Sequence, residues 1–374
     1  MKQRTFNILL TVLFCLFIGG MFLGSILLPD RTFSQLENRN LAAAPKLSWE
    51  TVTTGTFMED AEDYVNDQII GRDFWVALKA WSERVSGKQE NNGVYFAKED
   101  TLISRVDTPE QSTLDTNAGY VNALVDNVDV PVYFGIIPSA AEIWSYRLPE
   151  GAPTADEKAI IDRLYNEVQT HVIDLYSVLN AHKDEELYYR TDHHWTSLGA
   201  FYGYTALMNA MGLEAVPLDE SQKVTVSDEF YGTLFSSSGV RWLPPDHIDR
   251  YISDESVTVT AYPNGAPEPG SLYVDSYLQV KDKYSSFLGG NKPLCVIETE
   301  HTDAPKVLVI RDSYADSLAP FLTQNFSEIH LFDPRMNLTS VKDYVVQNEI
   351  DSVVVLYSIS NFFAKGSQLF VLGG

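Results

Sequence analysis

The sequence contains very little cysteine. Its 374 residues include two cysteines, Cys15 within a long apolar run and Cys295 within the strand-like segment PLCVIET. One thiol is expected in lipid and the other in a distal domain, so the two cannot pair. An exported protein without a possible internal disulfide is typical of a monoderm bacterial surface rather than of a eukaryotic secretory pathway. Neither apolar setting suits a cysteine nucleophile.

Basic residues are also scarce. The chain has 27 Lys and Arg against 51 Asp and Glu, a net charge of −24, and its pI is near 4.5. This negative charge repels phosphate backbones and anionic lipid headgroups, which argues against nucleic acid as a partner. The sequence also lacks internal repeats and low-complexity tracts. Its hydrophobic content of 45% and aromatic content of 12% predict a folded globule, long enough for one large or two modest domains.

The N-terminal segment carries the strongest topological signal. Two basic residues precede an uncharged run from Phe6 to Leu28, 23 residues that span about 35 Å as a helix. This charge arrangement predicts a cytosolic N-terminus with the rest of the chain outside. The run is long for a cleaved leader and no cleavage site is clear, so we expect a signal-anchor. We predict a cytoplasmic tip and transmembrane signal-anchor at 1–29 and an extracellular stalk at 30–56.

Strand-like and helix-like segments alternate along most of the remaining chain. Residues 57–86 carry apolar residues near helical spacing, interrupted at Gly71, and Asn92–Gly93 marks a hairpin turn. Strands that alternate with helices predict a parallel sheet with helices on its faces. From about 215 to 300, KVTVS, ESVTVTAY and SLYVDSYLQV alternate with period two and predict an antiparallel β-rich insertion. The predicted parallel strands are PVYFGIIP (131–138), HVIDLY (171–176), KVLVI (306–310), EIHLF (328–332) and DSVVVLY (351–357).

A serine follows one of these strands at a chemically informative position. In KVLVIRDSYADSLAPFL the strand ends at Arg311 and helix-like residues follow Tyr314. Ser313 is therefore expected at the carboxyl end of a parallel strand, where open α/β sheets place ligands. Free backbone amides at the start of the helix can stabilise a developing oxyanion. Taken alone, this pattern more commonly indicates helix capping by Asp312 or Ser313.

The segment TDHHWTSLGA (191–200) supplies what a nucleophilic serine lacks. Such a serine needs a base, and the base needs an orienting carboxylate. In an extended backbone the side chains at i and i+2 project to the same side. We therefore expect Asp192 and His194 to face the same side, with His194 directed to Ser313 and His193 pointing away. Trp195 would form a wall of the site, and the threonine after it suits a helix cap.

Metal binding and packing stay open as alternative roles for this segment. A metal site would need Asp192, His193 and His194 to converge with further ligands, but adjacent histidines on a strand diverge and H-x-x-x-H spacing is absent. His301 and His330 carry no ligand pattern. Packing or a surface turn is the second alternative, although three polar ionisable residues in a row are costly to bury without a task. The pairing with Ser313 favours acid–base chemistry over both.

The two motifs together resemble the DHHW family of bacterial exported proteins. Supporting stretches are FSQLENRNLA, DQIIGRDFW, NGVYF, IIPSAAEIW and FYGTLF, and the resemblance runs from Phe33 to Phe363. This family is similar to the alginate O-acetyltransferase group, whose catalytic domain resembles a circularly permuted SGNH hydrolase. The resemblance implies an SGNH hydrolase-like α/β catalytic domain at 57–374. It also implies Ser313 as nucleophile, His194 as base and Asp192 as orienting acid, with His193 and Trp195 in support.

The resemblance also suggests roles for three further residues. Arg335 follows the next strand and would stabilise the oxyanion or the substrate. Asn361 follows the third strand, where SGNH enzymes carry an oxyanion-hole asparagine, although its context differs from their Gly-x-Asn-Asp block. Both fit strand-end turn residues equally, and Tyr314 would either line the pocket or pack. The usual Gly-Asp-Ser is Arg-Asp-Ser here, so Arg311 stands in place of the glycine.

These features lead to one expected function and one alternative. We expect a membrane-anchored extracellular O-acyltransferase or esterase acting on a cell-surface or exported polysaccharide through an acyl-enzyme, with no metal or organic cofactor. The resemblance adds a membrane-bound acyltransferase partner that exports acyl groups. The alternative is a non-catalytic polysaccharide-binding or assembly factor on the same fold, which the arginine at 311 leaves open. In either case we expect a single-pass protein of the cell membrane with its C-terminal domain outside.

Overall fold

The chain divides into two compact units. The structure, a computed structural model, describes residues 3–253 and 255–373. One unit comprises the residues up to Asn91 together with Ser236–Trp242, and the other comprises Asn92–Phe235 and the residues from Leu243 onward. The segment 57–91, which we expected to open the catalytic domain, therefore lies in the first unit. The functional division into anchor, stalk and catalytic domain stays a prediction.

The first unit begins with the apolar helix. Helix α1 spans Gln3–Leu27, and none of its 25 residues is buried. In the part of the chain that the structure describes, it is the one helix long and apolar enough to cross a membrane, as a single-pass anchor or a signal peptide. The other elements are β1 Phe33–Ser34, β2 Arg39–Asn40, α2 Trp49–Thr54, α3 Thr56–Gln68, α4 Arg72–Val85 and β3 Glu90–Asn91. The predicted interruption at Gly71 is confirmed: this residue has φ +69° and separates α3 from α4.

The second unit alternates strands and helices. Its strands are β4 Val94–Phe96, β5 Leu102–Ser104, β6 Val132–Ile137, β7 His171–Val172, β8 Lys223–Phe230, β9 Asp246–Tyr251, β10 Thr258–Ala261, β11 Glu268–Pro269, β12 Leu294–Glu298, β13 Lys306–Arg311, β14 Glu328–Phe332 and β15 Ser352–Ser358. Its helices are α5 Gln111–Asn127, α6 Ala140–Ile143, α7 Glu157–Glu167, α8 Leu175–Ala181, α9 Ser197–Met211, α11 Ala315–Leu322, α12 Val341–Gln347 and α13 Ile359–Phe362, while α10 spans Thr233–Ser238 at the boundary between the units. Short 3-10 helices lie at Ser145–Arg147, Glu220–Gln222, Asp275–Gln279, Lys283–Ser286 and Leu369–Gly373.

The main sheet has the order β11-β10-β12-β14-β13-β15-β6-β7. Strands β14, β13, β15, β6 and β7 run parallel, with Val309 opposite Leu331 on one side and Val354 on the other. Every residue of β15 is buried, as is every residue of β13 after Lys306. Strands covered on both faces read as continuous apolar runs, which is why KVLVI and DSVVVLY predicted them. The carboxyl ends of β13, β15 and β6 meet at one edge of this sheet, and the residues that follow β13 form the candidate site.

The predicted β-rich insertion was only partly correct. β8 and β9 do form a separate antiparallel pair, but β10, β11 and β12 extend the main sheet as its antiparallel edge. SLYVDSYLQV is not a strand: it contains a 3-10 helix at Asp275–Gln279, and Tyr273 pairs with Phe287 in an isolated bridge. A period-two pattern of polar and apolar residues does not by itself provide a neighbouring strand, and without one the segment forms no ladder. The predicted strand 171–176 stops at Val172 because the Asp174 side chain caps α8.

Candidate active site

Ser313 lies between the end of β13 and the start of α11, as predicted. Its side chain is half-buried, while Asp312 before it and Tyr314 after it are buried. Among the described residues the Ser313 amide donates no hydrogen bond, whereas the next three amides are used within the turn. A half-exposed hydroxyl beside an unused amide is the arrangement that an acyl-transfer nucleophile and its oxyanion require.

Asp312 links the turn that carries Ser313, here called the serine turn, to the neighbouring strand β15. One carboxylate oxygen accepts a hydrogen bond from the Tyr314 amide at 3.0 Å. The other accepts from the amide and hydroxyl of Ser358, at 3.0 and 2.6 Å, and from Nδ2 of Asn361 at 2.8 Å. Asp312 thus does more than cap a helix: it fixes the turn that carries Ser313 against the end of β15.

The three residues of the predicted triad are joined by hydrogen bonds. Nδ1 of His194 is 2.6 Å from Oδ1 of Asp192, and Nε2 of His194 is 2.8 Å from Oγ of Ser313. With the proton on Nδ1, the imidazole donates to the carboxylate and its Nε2 accepts from the serine hydroxyl. Asp192 and His194 are almost fully buried. This geometry is that of a nucleophile, a base and an orienting acid.

The backbone that produces this contact is bent and not extended as we expected. Residues 190–194 form a bend, and the amide of His194 donates to Oδ1 of Asp192 at 3.0 Å. Asp192 therefore meets its partner through a local turn of the kind that Asp side chains favour. His193 does not point away: its ring centroid lies 3.9 Å from that of His194. The turn is held at its base by the pairing of Tyr188 with Trp195.

Thr233 and Gly232 complete the surroundings of Asp192. The Thr233 amide donates to Oδ2 of Asp192 at 2.7 Å, and the Thr233 hydroxyl lies 3.0 Å from the same oxygen. A Cβ on Gly232 would lie 2.2 Å from the Cβ of Asp192, so only glycine fits there. Burial raises the pKa of Asp192, but the charges of His193 and His194, the His194 hydrogen bond and the Thr233 amide outweigh it and hold the pKa below its ordinary value. Asp192 is therefore ionised at neutral pH.

His193 supports the site from the solvent side. Its side chain is 37% exposed, and its Nδ1 lies 2.7 Å from Oγ1 of Thr233. The Tyr314 hydroxyl donates to its carbonyl oxygen. Desolvation and the charge of His194 lower the pKa of His193, so this ring is neutral at neutral pH. The contact with Tyr314 joins the bend at residues 190–194 to the turn that carries Ser313.

Trp195 makes a second connection between the two turns. The indole is fully buried, and its Nε1 donates to the Tyr314 carbonyl at 2.9 Å and lies 3.0 Å from Oγ of Ser317. A Cβ on Gly203 of α9 would lie 2.6 Å from the indole ring, so this glycine makes room for it. Trp195 therefore fixes the serine turn by hydrogen bonds, and its role as a wall of the site stays a prediction.

Tyr284 was not identified from the sequence. Its ring stacks on the His194 imidazole with centroids 3.8 Å apart and planes 9° apart. Its hydroxyl donates to the Ser313 carbonyl at 3.0 Å and lies 3.1 Å from Oγ of Ser317. The surrounding KDKYSSF carries no motif that would single it out. Thr233, in contrast, lies in FYGTLF, a stretch that carried the family resemblance without a role being assigned to it.

Arg335 and Asn361 are both engaged by carboxylates. Arg335 donates twice to Asp333, at 2.8 and 2.6 Å, and this hydrogen-bonded pair raises the pKa of the guanidinium. The Nδ2 of Asn361 donates to Asp312. These contacts favour supporting roles over direct oxyanion contacts. The Ser313 amide is left as the donor that the structure offers next to the hydroxyl.

Arg311, which stands in place of the usual glycine, does not enter the site. Its side chain is fully buried and forms a 2.9 Å ion pair with Asp316, and its Nη1 also lies 3.1 Å from Oδ1 of Asn291. Burial raises the pKa of Asp316 to about 6 even though Arg311 opposes the shift. The guanidinium therefore pairs beneath the serine turn, and the departure leaves the Asp192, His194 and Ser313 contacts intact.

The same cluster also satisfies the distances of a metal site. Ligand atoms of Asp192, His193 and His194 lie within 4.8 Å of one another. However, the Nδ1 atoms of both histidines are hydrogen-bonded, to Thr233 and to Asp192, and Nε2 of His194 contacts Ser313. A cation would have to displace these hydrogen bonds, and the donor set fits an acid–base chain better than a metal centre.

Comparison with known proteins identifies the family of the chain and similar solved structures. Residues 110–332 match the DHHW protein family. A crystal structure of a DHHW family protein from Eubacterium siraeum is similar, with 26% sequence identity and a TM-score of 0.67, over 75% of this chain and 95% of that one. Among curated protein sequences none matches significantly.

Two further solved structures are similar to this chain at lower sequence identity. Bacillus cereus PatB1 with a sulfonyl adduct has 20% identity and a TM-score of 0.61, over 74% of this chain and 97% of that one. The O-acetyltransferase domain of Pseudomonas putida AlgJ has 16% identity and a TM-score of 0.46, over 73% and 93%. The predicted SGNH hydrolase-like sheet flanked by helices is confirmed. By its sequence, and in keeping with this fold, the chain belongs to the DHHW family.

Proposed function

We propose that this protein is a serine O-acyltransferase or esterase that acts on a polysaccharide outside the cell membrane. The observation that carries the proposal is the hydrogen-bonded sequence from Asp192 through His194 to Ser313. A binding factor would have no need for a serine hydroxyl 2.8 Å from an imidazole whose other nitrogen faces a buried carboxylate. For this reason we favour catalysis over the non-catalytic alternative.

The contacts allow the two half-reactions to be written in full. Ser313 Oγ attacks the acyl carbonyl while its proton moves to Nε2 of His194, and the Ser313 amide faces the developing oxyanion. His194 then gives the proton to the leaving alkoxide of the donor, which leaves an acyl-Ser313 ester. In the second half-reaction a sugar hydroxyl, or water in the esterase, passes its proton to His194 and takes the acyl group. The acyl bond to Ser313 Oγ then breaks, and His194 returns the proton to that oxygen. Asp192 stays ionised throughout and stabilises the imidazolium.

A cleft at the sheet edge that carries Ser313 is evidence for a large acceptor. It has a volume of about 640 Å³ and lies beside the ends of β14 and β10, where Tyr262, Asn264, Asn337 and Tyr344 form part of its lining. In the order β10-β12-β14-β13, the cleft begins one strand away from the strand that carries Ser313. Neighbouring strands are about 4.8 Å apart, so a bound sugar chain would need to extend only a few residues to reach the serine. Tyrosine rings and amide side chains suit sugar faces and hydroxyls.

The location and partner follow from the N-terminal helix and the family resemblance. We propose that α1 anchors the chain in the membrane with the C-terminal domain outside, on a monoderm bacterial surface. The two basic residues before its apolar run support this orientation. Acyl groups for an extracellular acceptor have to cross the membrane, which supports a membrane-bound acyltransferase as partner.

Hydrolysis of a chromogenic acetyl ester tests the proposal. The full chain should release acetate, and Ser313→Ala should reduce kcat/KM by about a thousandfold or more. Ser317→Ala, in the same helix region but bonded to Trp195 and Tyr284, is a matched control and should retain more activity. Equal activity of wild type and Ser313→Ala would refute the nucleophile. Mass spectrometry of an oligosaccharide incubated with enzyme and acyl donor then separates transfer from hydrolysis.

A further inference from the structure

Helix α4 carries an apolar surface that the first unit leaves uncovered. Its exposed apolar side chains are Phe74 (61%), Leu78 (39%), Trp81 (55%) and Val85 (66%). They recur at intervals of four, three and four residues, so they occupy an arc of about 60° at about 100° per residue. We call these four residues the α4 stripe. A continuous row of large apolar side chains on one helix face is typical of an interaction surface.

The opposite face of α4 packs inside its own unit. Ala80 and Arg72 are buried, and Arg72 pairs with Glu37 at 2.7 Å and with Asp67 at 3.2 Å. The backbone of Gly239 lies beside Val76 and Ala80. Because this face holds the helix in place, the α4 stripe points away from the interior of the unit.

The first turn of α4 lies against the apolar helix α1. The Ile70 amide, just before α4, donates to Oγ of Ser25 at 3.0 Å. The Trp75 ring is 6.3 Å from the Phe17 ring, in an edge-to-face arrangement. Phe17 is ten residues before Leu27, about 15 Å along α1, so Trp75 reaches a part of α1 that belongs to its apolar run. Any bilayer that holds α1 must therefore also surround the Trp75 side chain at the start of α4.

We propose that α4 is an interfacial membrane helix whose stripe faces the lipid acyl chains on the outer side of the bilayer. This inference rests on the proposed anchoring of α1. Asp73 and Arg31, which pair at 2.9 Å and remain partly exposed, mark the headgroup level. Trp and Phe beside such charges are the residues that membrane interfaces favour. Helix α4 carries three basic and two acidic residues, and Arg72 is paired within the unit, so the net charge of the helix is small and the attraction to the bilayer is mainly apolar.

Depth-dependent quenching tests the orientation of α4 in the full chain. Cys15→Ala and Cys295→Ala give a background without cysteine, into which Leu78→Cys or Trp81→Cys introduces one environment-sensitive fluorophore. Lys79→Cys is the matched control, exposed but about 130° around the helix from the centre of the stripe. The protein is reconstituted into phosphatidylcholine vesicles with and without a lipid that carries a nitroxide on its acyl chain.

The expected result distinguishes the stripe from the anchor. The protein should float with the vesicles, and labels at 78 and 81 should be quenched about threefold or more above the label at 79. Flotation with equal quenching at 78 and 79 would overturn the α4 proposal and leave the anchor intact. Failure to float would overturn both. A third outcome is that label 78 becomes protected as the protein concentration rises, without quenching by the nitroxide lipid. Another copy of the protein would then cover the stripe, and the α4 proposal would be overturned. Retained hydrolysis of the acetyl ester verifies that each labelled variant is folded.

Discussion

The ring of Tyr284 lies flat on the imidazole of His194, with centroids 3.8 Å apart and planes 9° apart. The same residue donates its hydroxyl to the Ser313 carbonyl at 3.0 Å. One side chain thus contacts both the proposed base and the residue that carries the proposed nucleophile. Burial raises the pKa of Tyr284 well above its ordinary value, so the hydroxyl stays protonated and remains a donor.

Substitution of Tyr284 should separate stacking from hydrogen bonding. Tyr284→Phe keeps the ring and should lower kcat/KM for an acetyl ester by less than about tenfold. Tyr284→Ala frees the imidazole to move and should lower kcat by about a hundredfold, because small displacements of catalytic groups have effects of this size. Thermal unfolding of both variants provides the stability control. Wild-type turnover by Tyr284→Ala would show that the stack has no positioning role.

Thr233 should act through Asp192. Thr233→Val removes the hydroxyl near Oδ2 of Asp192 and Nδ1 of His193 but keeps the backbone amide contact. A lost hydrogen bond to a charged group predicts a fall in kcat of about tenfold or more, with little change in KM. Thr233→Ser restores the hydroxyl and should restore most of the rate. If Thr233→Val and Thr233→Ser are equally active, the hydroxyl does not position the carboxylate.

Removal of metal should leave the activity unchanged. Asp192, His193 and His194 are close enough to bind a cation, but their facing atoms already form hydrogen bonds. Prolonged dialysis against EDTA, followed by the acetyl ester assay, should therefore give the original kcat/KM. Loss of activity that added Zn²⁺ restores would instead identify a metal enzyme.

A buried carboxyl near the end of β6 should make stability depend on pH. Glu157 is fully buried, accepts hydrogen bonds from the amide and hydroxyl of Ser139, and has a pKa that burial raises to about 7. A raised pKa means that the folded state binds the proton more tightly than the unfolded chain. Its stabilising contribution is therefore complete below about pH 4.5 and is lost as the pH rises through about 7.

Glu157→Gln isolates this effect. The free energy of unfolding of the wild type, relative to the variant, should fall by about 3 kcal/mol between pH 4.5 and 7.5. Denaturant unfolding in mild detergent at several pH values measures the difference. A difference that stays constant over this range would show that Glu157 has the same pKa in the folded and unfolded chains.

The main sheet was predictable because its strands are buried on both faces. The runs in β6, β13, β14 and β15 have no polar alternation to obscure them, and helices separate them along the chain. The segment 271–280 was mispredicted because a period-two pattern gives no information about a neighbouring strand. The path of β10 and β12 was missed for the same reason, since the sheet to which a strand adds is decided by tertiary packing.

Part of the candidate site was likewise predictable from the sequence, and part of it was not. Ser313, His194 and Asp192 belong to compact motifs whose chemistry is legible from residue types. The bend that joins Asp192 to His194 was not predicted, because an Asp side chain competes with extended backbone by bonding its own chain. Tyr284 and Thr233 were missed because they act through contacts between segments that are far apart in the sequence. Arg311 seemed a risk to the site in the sequence, and only its burial against Asp316 shows otherwise.

The central claim is that His194 activates Ser313 as a nucleophile, and covalent labelling tests it most directly. A sulfonyl fluoride transfers its sulfonyl group to an activated serine hydroxyl with loss of fluoride and a proton. Intact-protein mass spectrometry of the full chain after treatment with phenylmethylsulfonyl fluoride should show one sulfonyl group, mapped to Ser313. Labelling should be absent in Ser313→Ala and slowed by about a hundredfold or more in His194→Gln. A wild type that stays unlabelled at Ser313, or a His194→Gln variant labelled at the wild-type rate, would contradict the account.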